Sequence, residues 1–261
     1  MGSVLRVAAV QHEIVWEDGA ATRAQVRPMV EEAADRGARL VVLPEMWPTG
    51  FSMAVDRVAE PVDGPSTAFL LEHAQRHDIW LGGSIAIRED GAERPRNCFV
   101  LAAPDGTVHR YAKRHLFSPE GEDRCYEPGD ELVTVDVDGV RCTLFVCYDL
   151  RFADAFWATA TRTDCYLVVA NWPGKRGHHW RTLLRARAIE NQAYVVGVNR
   201  AGRDPHVEYT GASAVIDPFG EAGVEADERA CVIVADVDPA LVRQARHDFR
   251  FLDDRRPPAW E

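Results

Sequence analysis

The chain alternates between short apolar runs and longer amphipathic stretches. The short runs are rich in Val, Ile, Leu and aromatic residues, and turn dipeptides such as Asp105-Gly106 and Asp138-Gly139 separate several of them, which predicts β-strands. The predicted strands are Leu5–Gln11, Leu40–Pro44, Ile79–Ile87, Asn97–Ala102, Val108–Ala112, Leu132–Val137, Val140–Cys147, Cys165–Ala170, Tyr194–Val198, Ala212–Ile216 and Cys231–Asp236.

Four longer stretches have the spacing of amphipathic helices. The predicted helices are Ala20–Arg36, Ser66–Arg76, Ala153–Thr161 and His178–Gln192. The last of these has the i, i+3, i+4, i+7, i+8 spacing of a buried stripe, which consists of Trp180, Leu183, Leu184, Arg187 and Ala188. Strands mixed with helices of this length predict a layered α/β fold, and no linker divides the chain, so we expect a single domain over residues 1–261.

The composition limits the kinds of molecule that this protein is expected to bind. Apolar residues make up 46% and charged residues 27%, as in ordinary globular proteins, and the net charge of −11 argues against nucleic-acid binding. No apolar run is long enough for a transmembrane helix, and the N-terminus lacks the basic and apolar regions of a signal peptide. We therefore expect a cytoplasmic protein that acts on a small molecule, with no nucleic-acid or membrane partner.

The cysteines and histidines do not have the spacing of a metal site. The six cysteines contain no CxxC pair, and without an export signal their thiols are expected to be reduced. His178 and His179 are adjacent, but no third ligand lies at a suitable spacing. The expectation is therefore that no metal or other cofactor is required.

Reactive residues follow three of the predicted strands. Glu45 ends the run LVVLPE, Lys113 comes just past the strand in VHRYAKRH, and Cys147 ends the apolar run in TLFVCYD. Ligands of open α/β sheets bind beyond the carboxyl ends of strands. Each residue alone is more typical of a solvated charge or a small core thiol, but their joint occurrence at three strand ends favours a catalytic site.

Amide hydrolysis requires these three types of residue. An amide carbonyl is a poor electrophile, and an ionised cysteine is a strong nucleophile. Lys113 could favour the thiolate and later stabilise the oxyanion, while Glu45 could take the thiol proton and return it to the leaving amine. The hypothesis is a cysteine-dependent amidase that forms a thioester intermediate on Cys147.

Three motifs resemble the nitrilase superfamily of carbon–nitrogen hydrolases. LPEMWPTGF, YAKRHLF and VCYDLRF occur in the family's order, and the resemblance runs from about Val4 to Trp260. It implies a Glu-Lys-Cys triad at Glu45, Lys113 and Cys147. It also implies a four-layer α-β-β-α sandwich and a homodimer formed through helices near the active site, with the C-terminal segment (about 238–261) packing on the partner subunit.

The resemblance also implies a second glutamate and an oxyanion site. The stretch GEDRCYEPG fits a pattern in which this glutamate precedes an aromatic-x-x-Gly turn, which selects Glu122, whereas Glu120 is expected to be a solvated carboxylate. The oxyanion would lie between the Lys113 ammonium and the backbone N–H of Tyr148, at the turn after the nucleophile. For Asp149 and Arg151, an ion pair that fixes this turn is as plausible as substrate contact.

The residues around the triad indicate the class of substrate. The Cys-Tyr-Asp sequence at the nucleophile differs from the Cys-Trp-Glu form of true nitrilases, and ANWP with LLRARAIENQAYVVGVNRAG is closest to bacterial ω-amidases of the 2-oxoglutaramate type. Such a substrate carries a carboxylate, for which Arg176 is a candidate ligand and Arg151 the alternative. The further candidates for substrate contact or pocket walls are Asn171, Trp172, Phe51 and Tyr126.

Other functions remain open on the sequence alone. N-carbamoyl amino acid or β-ureidopropionate hydrolysis and the hydrolysis of deaminated glutathione would use the same triad. A catalytically silent binding protein with this fold is the alternative from another class. It is disfavoured because all four functional positions are filled.

Overall fold

The computed structural model describes residues 4–256. Gly2-Ser3 and the end of the C-terminal segment (257–261) lie outside the described residues. A single chain does not test the predicted homodimer, the packing of residues 238–261 on a partner, or the cytoplasmic location, and these stay predictions.

Strands and helices alternate along the described chain. The strands are β1 (Leu5–Gln11), β2 (Leu40–Val42), β3 (Trp80–Ile87), β4 (Arg96–Ala102), β5 (Val108–Ala112), β6 (Thr134–Val137), β7 (Val140–Val146), β8 (Cys165–Ala170), β9 (Tyr194–Asn199), β10 (Ala201–Arg203), β11 (Glu208–Thr210), β12 (Ala214–Ile216), β13 (Ala222–Glu225) and β14 (Cys231–Val237). The α-helices are α1 (Gly19–Asp35), α2 (Val55–Val58), α3 (Pro65–His77), α4 (Glu122–Cys125), α5 (Ala153–Thr159), α6 (Gly177–Asn191) and α7 (Pro239–Asp248). Short 3₁₀ helices cover Ser118–Glu120, Cys147–Arg151, Ala160–Arg162, Gly174–Arg176 and Phe251–Asp254.

The strands form two mixed six-stranded sheets. The first has the order β14-β1-β2-β3-β4-β5 and the second the order β13-β12-β9-β8-β7-β6, while β10 and β11 form a separate ribbon. β1, β2 and β3 are parallel to one another, as are β7, β8 and β9, and the outer pairs in both sheets are antiparallel.

Alternation of side chains along each strand produces the layers. In β1, Leu5, Val7 and Ala9 pack into the core between the sheets, whereas Ala8 and Val10 pack under α1 and α3. Helices α5 and α6 cover the outer face of the second sheet with residues such as Phe156, Trp180 and Leu184. The predicted α-β-β-α sandwich is therefore confirmed.

Every predicted strand and helix overlaps an observed one, with several ends shifted by one or two residues. Sequence analysis missed α7, although Asp238 caps it by accepting from Ala240 N–H at 2.8 Å and Pro239 occupies its first turn. It also missed α2 and α4, because helices of a single turn have no periodicity to detect, and the short strands β10, β11 and β13.

Two further findings concern the broad class of the protein. Among residues 4–256 no helix is both long and apolar enough to cross a bilayer. The six cysteines are all free thiols, as expected. Cys142 and Cys165 are register partners on β7 and β8, yet they too are unbridged.

Candidate active site

The three predicted catalytic residues meet at one pocket between the two sheets. Glu45 follows β2 and Lys113 follows β5 in the first sheet, and Cys147 follows β7 in the second, and all three line the pocket. The pocket has about 400 Å³ of empty volume, part of it open to solvent. This size suits a small molecule.

The backbone turns sharply at Cys147. This residue has φ of +46° and begins the 3₁₀ helix that follows β7, so its side chain points into the pocket while the chain reverses. A non-glycine residue in this left-handed region is strained and persists only where the surroundings hold it. In this turn the backbone N–H of Tyr148 is in the first turn of a helix, where N–H groups lack partners inside the helix.

The buried side chain of Asp149 holds this turn in place. It accepts hydrogen bonds from Val146 N–H at 3.0 Å, His115 N–H at 2.9 Å and the Tyr111 hydroxyl at 2.8 Å. Asp149 therefore has a structural role in fixing the turn, which was one of its two predicted roles. However, its partners are Tyr111 and His115 rather than Arg151.

Helix α6 supports the same turn from behind. The Arg187 guanidinium, which is almost fully buried, donates to the carbonyl of Leu150 at 2.7 and 3.1 Å. Arg187 belongs to the stripe predicted to be buried, and the structure shows that a charged residue at such a position bonds to the segment that carries the nucleophile.

Lys113 lies between two carboxylates. Its Nζ is 2.8 Å from Glu45 Oε1 and 2.8 Å from Glu122 Oε2, and the side chains of all three residues are fully buried. Nζ also lies 3.0 Å from Glu122 Oε1. If both oxygens of Glu122 share one of the three ammonium hydrogens, one hydrogen remains for a ligand. The Phe51 ring, with its centroid 5.1 Å from Nζ, packs beside the ammonium group.

Glu45 is held on every side. Asn97 Nδ2 donates to Oε1 at 2.9 Å and the backbone N–H of Asn171 donates to Oε2 at 2.8 Å, while Asn171 Nδ2 donates to the Glu45 carbonyl at 2.7 Å. Asn171, predicted as a substrate contact, lines the pocket but its amide nitrogen is already used to fix Glu45. Its Oδ1 is buried without a partner.

Glu122 reaches Lys113 because the loop that carries it packs tightly on the end of β5. A Cβ at Gly129 would lie 2.5 Å from the carbonyl oxygen of Ala112, so the aromatic-x-x-Gly turn requires glycine for this close approach. Glu122 also accepts from Phe117 N–H at 2.6 Å and Asn97 Nδ2 at 3.1 Å. Glu122 is not among the residues that line the pocket, and its contact is with Lys113.

The electrostatics of the site keep the thiol protonated in the resting enzyme. Burial raises the pKa of Cys147 well above its ordinary value, the Glu45 carboxylate raises it further by its charge and as a hydrogen-bonding partner, and Lys113 only partly opposes this. Burial alone lowers the pKa of Lys113, but Glu122 and Glu45 raise it overall, so the ammonium form persists. Lys113 therefore favours the thiolate, as expected, but burial and the Glu45 carboxylate outweigh it.

Exchanging Glu45 for glutamine tests this electrostatic balance. In Glu45→Gln, we expect the pKa of Cys147 to fall, because the change removes a negative charge that raises it while leaving the opposing Lys113 cation. Thiolate should therefore form at a lower pH than in the wild type, measured by its ultraviolet absorbance with Cys147→Ala as the blank. An unchanged or raised midpoint would contradict the charge balance described here.

Most of the other predicted substrate contacts line the pocket. Tyr148, Trp172, Arg151, Arg176 and Phe51 all do so. The side chain of Glu120 is exposed, as predicted, but it too lies at the pocket wall.

Tyr126 is a correction. Its ring is fully buried in a cluster with Met46, Val58 and Ala86, and its hydroxyl donates to the carbonyl of Ser52 at 2.7 Å. Tyr126 therefore packs behind the site and is not a pocket wall.

Two arginines lie at the side of the pocket formed by Trp172. The Arg151 guanidinium is 4.8 Å from the centroid of the Trp172 ring, and Trp172 Nε1 donates to the Arg176 carbonyl at 2.9 Å. Arg176 lies over the Phe117 ring at 5.4 Å. Within residues 4–256 neither guanidinium forms an ion pair with a carboxylate, so both are available to an anion.

Sequence reasoning missed several residues of the site. Asn97 links Glu45 to Glu122, and Ser84 Oγ orients it by donating to Asn97 Oδ1 at 2.7 Å. Tyr209, from the β10–β11 ribbon, also lines the pocket. No motif indicated these residues, because each lies in a strand whose sequence is typical of ordinary core packing.

The chain matches the carbon–nitrogen hydrolase family over residues 6–247. It is 42% identical to an omega-amidase of Yersinia enterocolitica, YafV, over 97% of both chains. It is 31% identical to a 2-oxoglutaramate amidase of Bacillus subtilis, with 86% of this chain and 88% of that protein covered.

Solved structures show the same architecture. A CN-hydrolase superfamily protein of Xanthomonas campestris, which has an arsenic adduct in its active site, superposes with a TM-score of 0.93 at 36% identity, covering 99% of this chain and 100% of that chain. An amidase of Nesterenkonia sp. superposes with a TM-score of 0.85 at 26% identity, over 98% of this chain and 95% of that one. In that structure the acetamide moiety of fluoroacetamide is added covalently at the active-site cysteine.

Proposed function

This chain belongs to the carbon–nitrogen hydrolase family of the nitrilase superfamily and is an amidase with a cysteine nucleophile, and from that premise we propose that it hydrolyses a small ω-amide of a dicarboxylic or keto acid. 2-Oxoglutaramate is the first candidate. The observation that carries the proposal is the arrangement of charged groups around the pocket. One wall has a buried carboxylate–lysine pair beside the partly buried Cys147 thiol, and another has two arginines without ion pairs.

Acylation begins at Cys147. The thiol is protonated at rest, so its proton passes to Glu45 as Sγ attacks the amide carbon. With both carboxylates ionised, Glu45, Lys113 and Glu122 carry one net negative charge, and a free thiolate would add a second in a buried site. Transfer of the proton to Glu45 avoids this increase, which is why the base must act in the same step.

The oxyanion forms between two donors. It would accept hydrogen bonds from the Lys113 ammonium and the backbone N–H of Tyr148. Glu45 then returns the proton to the leaving nitrogen, ammonia departs, and the acyl group remains on Cys147 as a thioester.

Hydrolysis of the thioester uses the same groups. Glu45 takes a proton from water, the hydroxide attacks the thioester carbon, and the thiol recovers its proton as the acid leaves. Glu122 contributes by fixing Lys113 and Asn97, since it contacts these residues rather than the pocket. No step requires a metal or an organic cofactor.

The carboxylate at the far end of the substrate would meet an arginine. We assign Arg176 as its ligand, because Trp172 fixes the Arg176 backbone and the guanidinium remains unpaired. Arg151 is the alternative, since it lies over the other side of the same region, 4.8 Å from the Trp172 ring centroid.

Truncation of Arg176 tests the substrate class. In Arg176→Met, we expect KM for 2-oxoglutaramate and succinamate to rise roughly 10- to 100-fold, because a hydrogen bond to a charged group is worth about 1.5–3 kcal/mol. The value of kcat/KM for a neutral amide such as butyramide should change little. Ammonia release measures both, and Lys175→Met, an exposed neighbour outside the pocket, is the matched control.

Some results would change the proposed carboxylate ligand or the proposed substrate class. An equal loss on neutral and charged amides would remove Arg176 as the carboxylate ligand, and the same selective loss in Arg151→Met alone would transfer that role to Arg151. If ω-amides released no ammonia while N-carbamoyl amino acids or deaminated glutathione did, the substrate class would be wrong although the amidase chemistry would stand.

A further inference from the structure

Helices α1 and α3 place three metal-ligand side chains together on the side of the first sheet away from the active site. A carboxylate oxygen of Glu31 and one ring nitrogen each of His73 and His77 lie within 4.8 Å of one another. His73 and His77 are i, i+4 neighbours, so both project from one face of α3, and Glu31 approaches from α1.

The hydrogen bonds of these histidines are incomplete. His73 is fully buried, and its Nδ1 has no hydrogen-bond partner, while His77 Nε2 is also buried and unpartnered. A buried polar atom without a partner costs free energy, and native structures rarely leave one unexplained. Within residues 4–256 Glu31 forms no ion pair either, so its carboxylate is available.

We propose that Glu31, His73 and His77 form a binding site for a transition-metal dication of the Zn²⁺ class, which ties α1 to α3. Two imidazoles and one carboxylate are a common zinc ligand set, with water in the fourth position. The Arg27 guanidinium can only donate, so His73 Nε2 accepts its hydrogen bond, and the imidazole is neutral and can bind a metal.

Arg27 competes with the metal. Its Nη1 donates to His73 Nε2 at 3.0 Å, so in this state the proton of the neutral ring resides on Nδ1. Binding through Nδ1 transfers that proton to Nε2 and releases Arg27, whose side chain is 42% exposed and already lies 3.8 Å from Glu72. The His73 ring stays neutral throughout, because the proton only moves from one ring nitrogen to the other.

No sequence pattern indicated this site. His73 and His77 by themselves have helical spacing typical of core or surface residues, and Glu31 is distant along the chain. The site is independent of the proposed amidase function, because none of its residues lines the catalytic pocket.

Metal titration of the whole protein tests the proposal. Since the catalytic thiol can also bind Zn²⁺, the experiment uses Cys147→Ala protein freed of metal with a chelator. We expect one equivalent of Zn²⁺ to bind by calorimetry, Co²⁺ to give the visible spectrum of a tetrahedral site, and Zn²⁺ to raise the melting temperature.

Variants identify the ligands. His77→Gln and Glu31→Gln, whose side chains are only partly buried, should weaken binding at least about tenfold and abolish the thermal shift. His178→Gln serves as the matched control at the other histidine pair and should bind normally. Arg27→Gln should bind more tightly than the parent because it removes the competing cation.

Two outcomes would overturn the site. One is the absence of Zn²⁺ and Co²⁺ binding in the Cys147→Ala protein. The other is binding that His77→Gln and Glu31→Gln leave unchanged, which would place the metal elsewhere. Neither outcome bears on amide hydrolysis, which is measured separately with the wild-type thiol present.

Discussion

Replacing Cys147 with alanine is expected to abolish ammonia release, with kcat lowered by about 10⁴-fold or more, as for removal of a covalent nucleophile. The fold should survive, because the side chain is only partly buried at the pocket and the turn is held by Asp149. The substitution loses the sulfur atom that forms the thioester, and no other cysteine lines the pocket to replace it.

The matched control is Cys125→Ala. Cys125 is a partly buried thiol at the end of α4, on the loop that also carries Glu122, but it does not line the pocket. It should retain most activity. Mass spectrometry of quenched reactions should detect an acyl adduct on the wild type and on Cys125→Ala but not on Cys147→Ala. An adduct on Cys147→Ala, or substantial turnover by that variant, would refute Cys147 as the nucleophile.

Replacing Glu45 with glutamine is expected to lower kcat/KM by about 10²- to 10⁴-fold, the usual contribution of a general base. The glutamine side chain has nearly the same shape as glutamate but only one acceptor oxygen. The two oxygens of Glu45 together accept hydrogen bonds from Lys113, Asn97 and the N–H of Asn171. One donor must then face the new amide nitrogen, and we expect about 1–3 kcal/mol of lost stability from that pair.

Glu120→Gln is the control for Glu45→Gln. It neutralises an exposed carboxylate at the pocket wall and should leave both activity and stability nearly unchanged. Glu45→Gln should also combine a lower activity with a larger thiolate fraction at a given pH. If the thiolate fraction fell together with the activity, ionisation of Cys147, and not proton transfer to Glu45, would limit the reaction.

The local pattern of the chain was sufficient to predict much of the fold. Leu5–Gln11 and Val108–Ala112 became strands with the predicted bounds, because short stretches that contain β-branched and aromatic residues favour strands locally. The triad could also be predicted from the sequence, since Glu45, Lys113 and Cys147 each lie at the end of a strand within a short motif. Resemblance to a family supplied the stacking of the two sheets, which strand patterns alone do not specify.

Other properties depend on contacts between segments far apart in the chain. Asn97 bridges Glu45 and Glu122 only because β4 lies beside β3 and β5 in the first sheet. Tyr126 does not form the predicted pocket wall, because the direction of its side chain is set by packing against Met46, which no local pattern encodes.

Sequence by itself therefore determined the elements, the layered α/β class and the identity of the three reactive residues, because these follow from local periodicity and short motifs. Tertiary structure decided the protonation of Cys147, since burial and the Glu45 charge outweigh the Lys113 cation only once the two sheets are stacked. It also brought Glu31 to His73 and His77, because α1 and α3 pack side by side on the same face of the first sheet.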